Sequence, residues 1–236
     1  QVILPGTRYR WSTLRREDGS VARFAGPSGI AVSPNGEFYV AEASSGLVQK
    51  VGTDGRIEPL MDPFGTPWLF GSPVDVAIHP RGSVLVLDNA GPISQWNAGL
   101  SPLSITGGYG WALFVDSEET IWTSPQEGRL LKRPAKDSSV TINVGGNIVD
   151  MTRDLNGDLL LADVGRYVIR RIGPNGGVSV VAGVSGKRGS VDGPADTAGF
   201  THPNSVSVDA QGNIFVADEF ASRIRRISPG RIVTTV

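Results

Sequence analysis

One ten-residue pattern, a turn followed by a short apolar strand, recurs five times along the chain. The copies are SPNGEFYVAE (33–42), HPRGSVLVLD (79–88), DSEETIWTSP (116–125), DLNGDLLLAD (154–163) and DAQGNIFVAD (209–218). They begin 46, 37, 38 and 55 residues apart. Further alternating runs flank the last copy: SVSV (205–208) before it, RIRRI (223–227) and RIVTTV (231–236) after it. Four short strands joined by tight turns make a small antiparallel sheet. Such a sheet cannot bury both of its faces alone, so the copies must lean on one another. A period of about 40 residues with four strands per unit predicts propeller blades. The third copy departs most: it lacks the turn glycine and ends in Ser124-Pro125, where the others end in a carboxylate.

The pattern resembles the NHL-repeat β-propellers. The resemblance rests on Pro203 ahead of the VSV strand, Asp209 and Gly212 in the turn, Val216-Ala217-Asp218, and RIRRI. GSVDGPADTAGF (189–200) matches a longer form of the same repeat. The resemblance implies an all-β propeller of four-stranded antiparallel blades over nearly the whole chain. It implies less about activity, because that family includes RNA binders, protein-binding scaffolds and metal-dependent lyases.

The expected organisation is one propeller domain over residues 1–236, with blades at 27–61, 73–106, 110–144, 147–183 and 203–236. Residues 1–6 read as an outer closing strand whose three inner strands do not stand ahead of it. Two readings follow: five blades with an added strand, which five visible repeats favour, or six blades with part of the sequence missing. The apolar face of the first blade is expected to be Ile30/Val32, Phe38/Val40 and Val48/Val51. Links 6–26 and 184–202 occupy equivalent positions and belong on one face of the ring, with the 62–72 link and the loops between second and third strands. Loops held by a rigid scaffold are where function concentrates.

Composition narrows the classes. With 39% hydrophobic residues, the 31 glycines and 16 prolines mark turns and not disorder. A formal net charge of −1 gives no overall field toward nucleic acid or membrane. There is no apolar run of 18 residues, so no membrane span is expected, and nothing in the residues given reads as a signal peptide. Gln1 is not an initiator residue, so a processed product or a fragment is expected, and a processed N-terminus fits an exported or organelle-lumen protein. The absence of cysteine excludes disulfides, thiolate catalysis and thiolate metal sites.

Four sets of residues could carry function. The first is the carboxylate column Glu42, Asp88, Asp163 and Asp218, read as structural: each accepts backbone N–H groups and pairs with an arginine such as Arg170 or Arg225. The second is the channel mouth, where Asp75, Asp150 and Asn204 stand at the entry of first strands. Two acids there could hold a hard cation such as Ca²⁺; otherwise no cofactor is expected. The third is aromatic: Phe64, Trp68 and Phe70 in one link, with Trp11 and Trp111 nearby on the same face, as a plug between blades or a recognition platform. The fourth is basic: Arg8, Arg10, Lys187 and Arg188 on the equivalent links.

The two histidines lie in different structural positions, which argues against a zinc lyase needing three protein ligands. Gly107-Gly-Tyr-Gly-Trp111 lacks the following helix that a phosphate cradle requires. The leading expectation is therefore a non-catalytic scaffold that binds a protein through the long-loop face. The alternatives are a metal-assisted lyase or hydrolase at the channel, and polyanion or RNA binding by the basic patch.

Overall fold

The computed structural model describes residues 20–89, 91–97, 103–105, 110–125 and 128–236. Five antiparallel sheets follow one another. Blade 1 holds β1 (Pro27–Val32), β2 (Phe38–Glu42), β3 (Leu47–Val51) and β4 (Ile57–Pro59). Blade 2 holds β5 (Pro73–Ile78), β6 (Val84–Asp88), β7 (Ile93–Trp96) and β8 (Leu103–Ile105). Blade 3 holds β9 (Leu113–Val115), β10 (Ile121–Thr123), β11 (Arg129–Arg133) and β12 (Val140–Asn143). Blade 4 holds β13 (Ile148–Arg153), β14 (Leu159–Asp163), β15 (Val168–Ile172) and β16 (Val178–Ala182). The following link supplies β17 (Gly193–Pro194), and blade 5 adds β18 (Pro203–Val208), β19 (Ile214–Asp218), β20 (Arg223–Ile227) and β21 (Ile232–Thr235). The arrangement is a β-propeller with almost no helix: a single 3₁₀ turn, Glu219–Ala221, occurs among the described residues.

Turn chemistry fixes each first hairpin. In blades 3 to 5 the aspartate at the head of the turn accepts the N–H groups two and four positions on, whereas Ser33 accepts only that of Glu37 and His79 only that of Arg81. Asp154 Oδ1 accepts from Asn156 and Asp158 at 2.9 and 3.0 Å, and Asp209 Oδ1 from Gln211 and Asn213 at 2.9 and 2.8 Å. The fourth residue turns left-handed: Gly36, Gly82, Gly157 and Gly212 have φ between 79° and 89°. Glycine adopts this without a Cβ clash. Where the glycine is lost, Glu119 holds the same place at φ 63°.

Strand alternation sends one column of side chains to each neighbour, so the core is divided between blades. One cluster joins blades 1 and 2 through Tyr39, Val48, Val76 and Val84, and others join 2 to 3, 3 to 4 and 4 to 5. Each fully buried Val, Leu or Ile contributes roughly 1.5–3 kcal/mol. The expected face of blade 1 is only half realised. Val40, Val48 and Val51 are buried, but Ile30, Val32 and Phe38 are exposed, because no blade among the described residues packs against that side.

One sheet carries a fifth strand, and an isolated bridge follows the last strand of blade 1. β17 pairs with β21, Gly193 opposite Val233. A bridge between Met61 and Pro67 folds a hairpin back along blade 1. Both cover backbone groups that an edge would leave unpaired.

Candidate functional site: channel mouth and loop rim

The first strands line the axis, and four of them share one irregularity. Pairing shifts register between Pro27 and Gly29, Pro73 and Asp75, Ile148 and Asp150, and Pro203 and Ser205. A bulge re-aims side chains. Here it lets two consecutive residues face the channel: Ser28 with Gly29, Val74 with Asp75, Val149 with Asp150, Asn204 with Ser205. These eight, with Phe24, Ile30, Val40, Pro27 and Trp111, surround a cavity of about 620 Å³.

The two acids are spoken for. Asp75 Oδ1 accepts the N–H of Val76 at 2.8 Å, and its Oδ2 accepts the N–H of Leu113 in blade 3 at 2.8 Å. Asp150 repeats this two interfaces later, between blades 4 and 5. Its Oδ1 accepts from Met151 at 2.7 Å; its Oδ2 accepts from the Ser205 hydroxyl at 2.7 Å and the Val206 N–H at 2.8 Å. Between blades 1 and 2 the Ser28 hydroxyl donates to the Pro73 carbonyl at 2.7 Å. Each of these side chains ties its first strand to the next. Burial, and then the charge of Asp150, push the Asp75 pKa up to about 8, against the N–H groups of Leu113 and Val76. Burial also raises Asp150, against the bonds from Ser205, Val206 and Met151. Among the described residues no group of three or more His, Cys, Asp or Glu side chains is placed to hold a metal ion.

The carboxylate column anchors each incoming link. Glu42 accepts the Ala25 N–H, Asp88 those of Gly71 and Ser72, Asp163 that of Asn147, and Asp218 those of Thr201 and His202. In blades 4 and 5 a third-strand arginine supports the same carboxylate: Arg170 Nη1 stands 3.1 Å from Asp163 Oδ2, and Arg225 Nη1 stands 3.4 Å from Asp218 Oδ2. Arg225 is fully buried. It also donates to Asp192 at 2.6 Å, to the Val191 carbonyl at 3.1 Å and to the Gly199 carbonyl at 2.9 Å. The long link is thereby stapled to blade 5.

Above these anchors lies the loop rim. Phe70 is not a surface contact: it is buried in the cluster between blades 1 and 2, with Trp68 packed on the same cluster. Their β-like path beside β4 turns both rings inward. Phe64, at the hairpin tip, is 90% exposed. Trp111 is partly exposed above the cavity. Lys187 and Arg188 are exposed, and Arg188 lies over the Phe220 ring at 5.4 Å. Phe220 stacks on His202 with centroids 4.2 Å apart, and Glu219 stands 3.1 Å from His202 Nδ1. Arg8, Arg10 and Trp11 lie outside the described residues, as does the strand expected at 1–6. His79 sits in a turn, where its Nδ1 accepts the Arg81 N–H.

Sequence reasoning missed Phe220. The one available signal was an aromatic in a short loop whose counterparts carry Ser44, Ala90 and Gly165. Asp192 was also missed as the partner of Arg225, since 33 residues separate the two.

The model of the NHL repeat matches residues 24–51, which span β1 to β3. No curated protein sequence matches the chain. Solved structures superpose well at low identity. A protein of unknown function from Bacteroides thetaiotaomicron aligns with TM-score 0.76 at 17% identity, over 95% of this chain and 63% of its own. An auxiliary nutrient binding protein from the same organism gives 0.73 at 12%, over 90% and 57%. The virginiamycin B lyase of Staphylococcus aureus gives 0.66 at 16%, over 90% and 70%. At these identities the likeness is one of fold. The chain spans less than two thirds of the first of these structures.

Proposed function

We propose that this β-propeller with an NHL repeat is a non-catalytic binding scaffold, which engages an acidic protein surface through its loop rim. The observation that carries the reading is the asymmetry between the two faces. The turns opposite the rim are short and closed by their own polar side chains; Leu155 is their one exposed large apolar residue among those described. The rim instead exposes Phe64, Leu69, Trp111, Val191 and Phe220, and the long link adds exposed Lys187 and Arg188, the latter over the Phe220 ring. Exposed aromatic anchors with cations on the adjoining link suit recognition of an acidic protein surface.

The test is a photo-cross-linking scan. Cross-linkers replacing Phe64, Trp111 and Phe220 are expected to capture the protein partner, and one replacing Leu155 is not. Phe220→Ala with Arg188→Glu should weaken that capture about tenfold. Cross-links arising only from the Leu155 side would reject the reading.

The channel supports a second reading, small-ligand or metal-assisted chemistry at Asp75 and Asp150. Its support is a cavity of about 620 Å³ with both acids in its lining. The bonding of all four carboxylate oxygens favours the structural role over this one. Calcium that raised the melting temperature of wild type, but not of Asp150→Asn, would favour the second reading.

A further inference from the structure

An outer strand leaves a row of backbone N–H and C=O groups without partners. Folded proteins guard such rows with short strands, charges, prolines or covering chain. Four of the five blades here are guarded or offer little edge. β4 has three residues, two of them Glu58 and Pro59, and the hairpin bridged at Met61 and Pro67 follows it. β8 also has three. β12 has four, with one exposed large apolar side chain, Val140. In blade 5, β17 covers β21. β16 is different. Its five residues, Val-Ser-Val-Val-Ala, include no charge and no proline. It ends its sheet, and among the described residues nothing pairs with Val178–Val180 from outside. Val178 and Val180 are 37% and 42% exposed, and their spacing of two puts them on one face. The next strand in carries arginines, but both are matched. Arg170 pairs with Asp163, and Arg171 with Asp154 and Asp158. Like charge therefore does not guard this edge from behind.

We propose that β16 is a self-association edge, where two copies of this chain pair their β16 strands antiparallel about a two-fold axis through Ser179. The sequence of the edge selects a second copy as its occupant. Val178-Ser179-Val180 reads the same in both directions. With Ser179 opposite the partner's Ser179, Val178 lies across from the partner's Val180, and Val180 from the partner's Val178. Both valine pairs fall on one face, the kind of cross-strand contact that stabilises an antiparallel pair. Every other register loses at least one of them. An acidic peptide would bring charge to an edge whose nearest cations already have carboxylates. Each copy uses its one unguarded edge among the described strands, so the contact is isologous and growth stops at two. One strand edge buries less than the ~1,200 Å² of stable complexes, so the dimer is weak.

Sedimentation velocity of the 236-residue chain, up to about 1 mM, should show a monomer–dimer equilibrium with Kd roughly 20–500 μM. Val180→Lys sets a lysine into each valine pair and should weaken the dimer roughly tenfold or more. Val140→Lys makes the same change on the β12 edge and should leave the equilibrium as it is. The chain has no cysteine, so Ser179→Cys places two lone thiols across the axis. Their Cα separation would lie within the ~4.4–6.8 Å that a disulfide spans. In a glutathione redox buffer Ser179→Cys should form a covalent dimer faster than Thr141→Cys. This cross-link keeps the test decisive even where Val180→Lys does not fold. A chain that stays monomeric up to about 1 mM overturns the proposal. So does a dimer that a folded Val180→Lys leaves intact or that Ser179→Cys does not lock, since the contact then lies elsewhere. Species that grow beyond the dimer with concentration overturn the two-fold closure.

Discussion

At the scale of single residues, the channel acids show how one side chain can be read two ways. Asp75 and Asp150 stand where a cation site would need them, but they accept N–H groups from the neighbouring blade. The raised pKa of Asp75 gives this a pH signature. Its ordinary value is 3.8, against about 8 in the fold. Between these values the folded chain holds a proton that the unfolded chain releases. Stability then falls as pH rises through this window and levels off above it. From pH 5 to pH 8 the expected loss is on the order of 1–2 kcal/mol, allowing for the partial exposure of the carboxylate to solvent. Asp75→Asn should remove most of that slope, while lowering stability overall by about 1–3 kcal/mol because its amide meets an N–H. Urea unfolding at several pH values checks both. A slope of equal size in Asp75→Asn would assign the titration to another group.

At the scale of elements, the blades are held by their link anchors as much as by strand pairing. Asp218 accepts from Thr201 and His202 and faces the buried Arg225. Asp218→Ala leaves that guanidinium without one of its two carboxylates and the link N–H groups without an acceptor. The expected destabilisation is about 3–5 kcal/mol. Hydrogen exchange should show protection lost first around residues 199–203, before β19 itself opens. This anchor was legible in the sequence, because a carboxylate recurs at the end of the second strand with an arginine at a fixed offset on the third. The bulges were not. Strict alternation places Val74 and Asp75 on opposite faces, and only the shifted register turns both toward the axis. Trp68 and Phe70 were ambiguous for a related reason: composition marked the link as aromatic, but the inward path beside β4 is a tertiary outcome.

At the scale of the whole molecule, the five sheets are far from equivalent. The repeat was plain from five aligned turns, and the alternation marked which side chains are apolar. Nothing in that alternation says whether a neighbour is there to receive them, so Ile30, Val32 and Phe38 read as core and stand in solvent. The contrast is measurable by truncation. Val76→Ala should cost roughly 1.5–2.5 kcal/mol through lost burial. Ile30→Ala at the equivalent place should cost less than about 0.5 kcal/mol. Equal costs in denaturant titrations would mean that the first blade has a neighbour in solution.

The staple on the long link has a bearing on how such a molecule could diversify. Asp192, Val191 and Gly199 are gripped from below by Arg225, while the crest from Ser185 to Arg188 rises free of that grip. Substitutions or short insertions at the crest would alter what the rim meets without disturbing the frame beneath. New specificities could be grafted there much as a tool head is changed on a fixed handle.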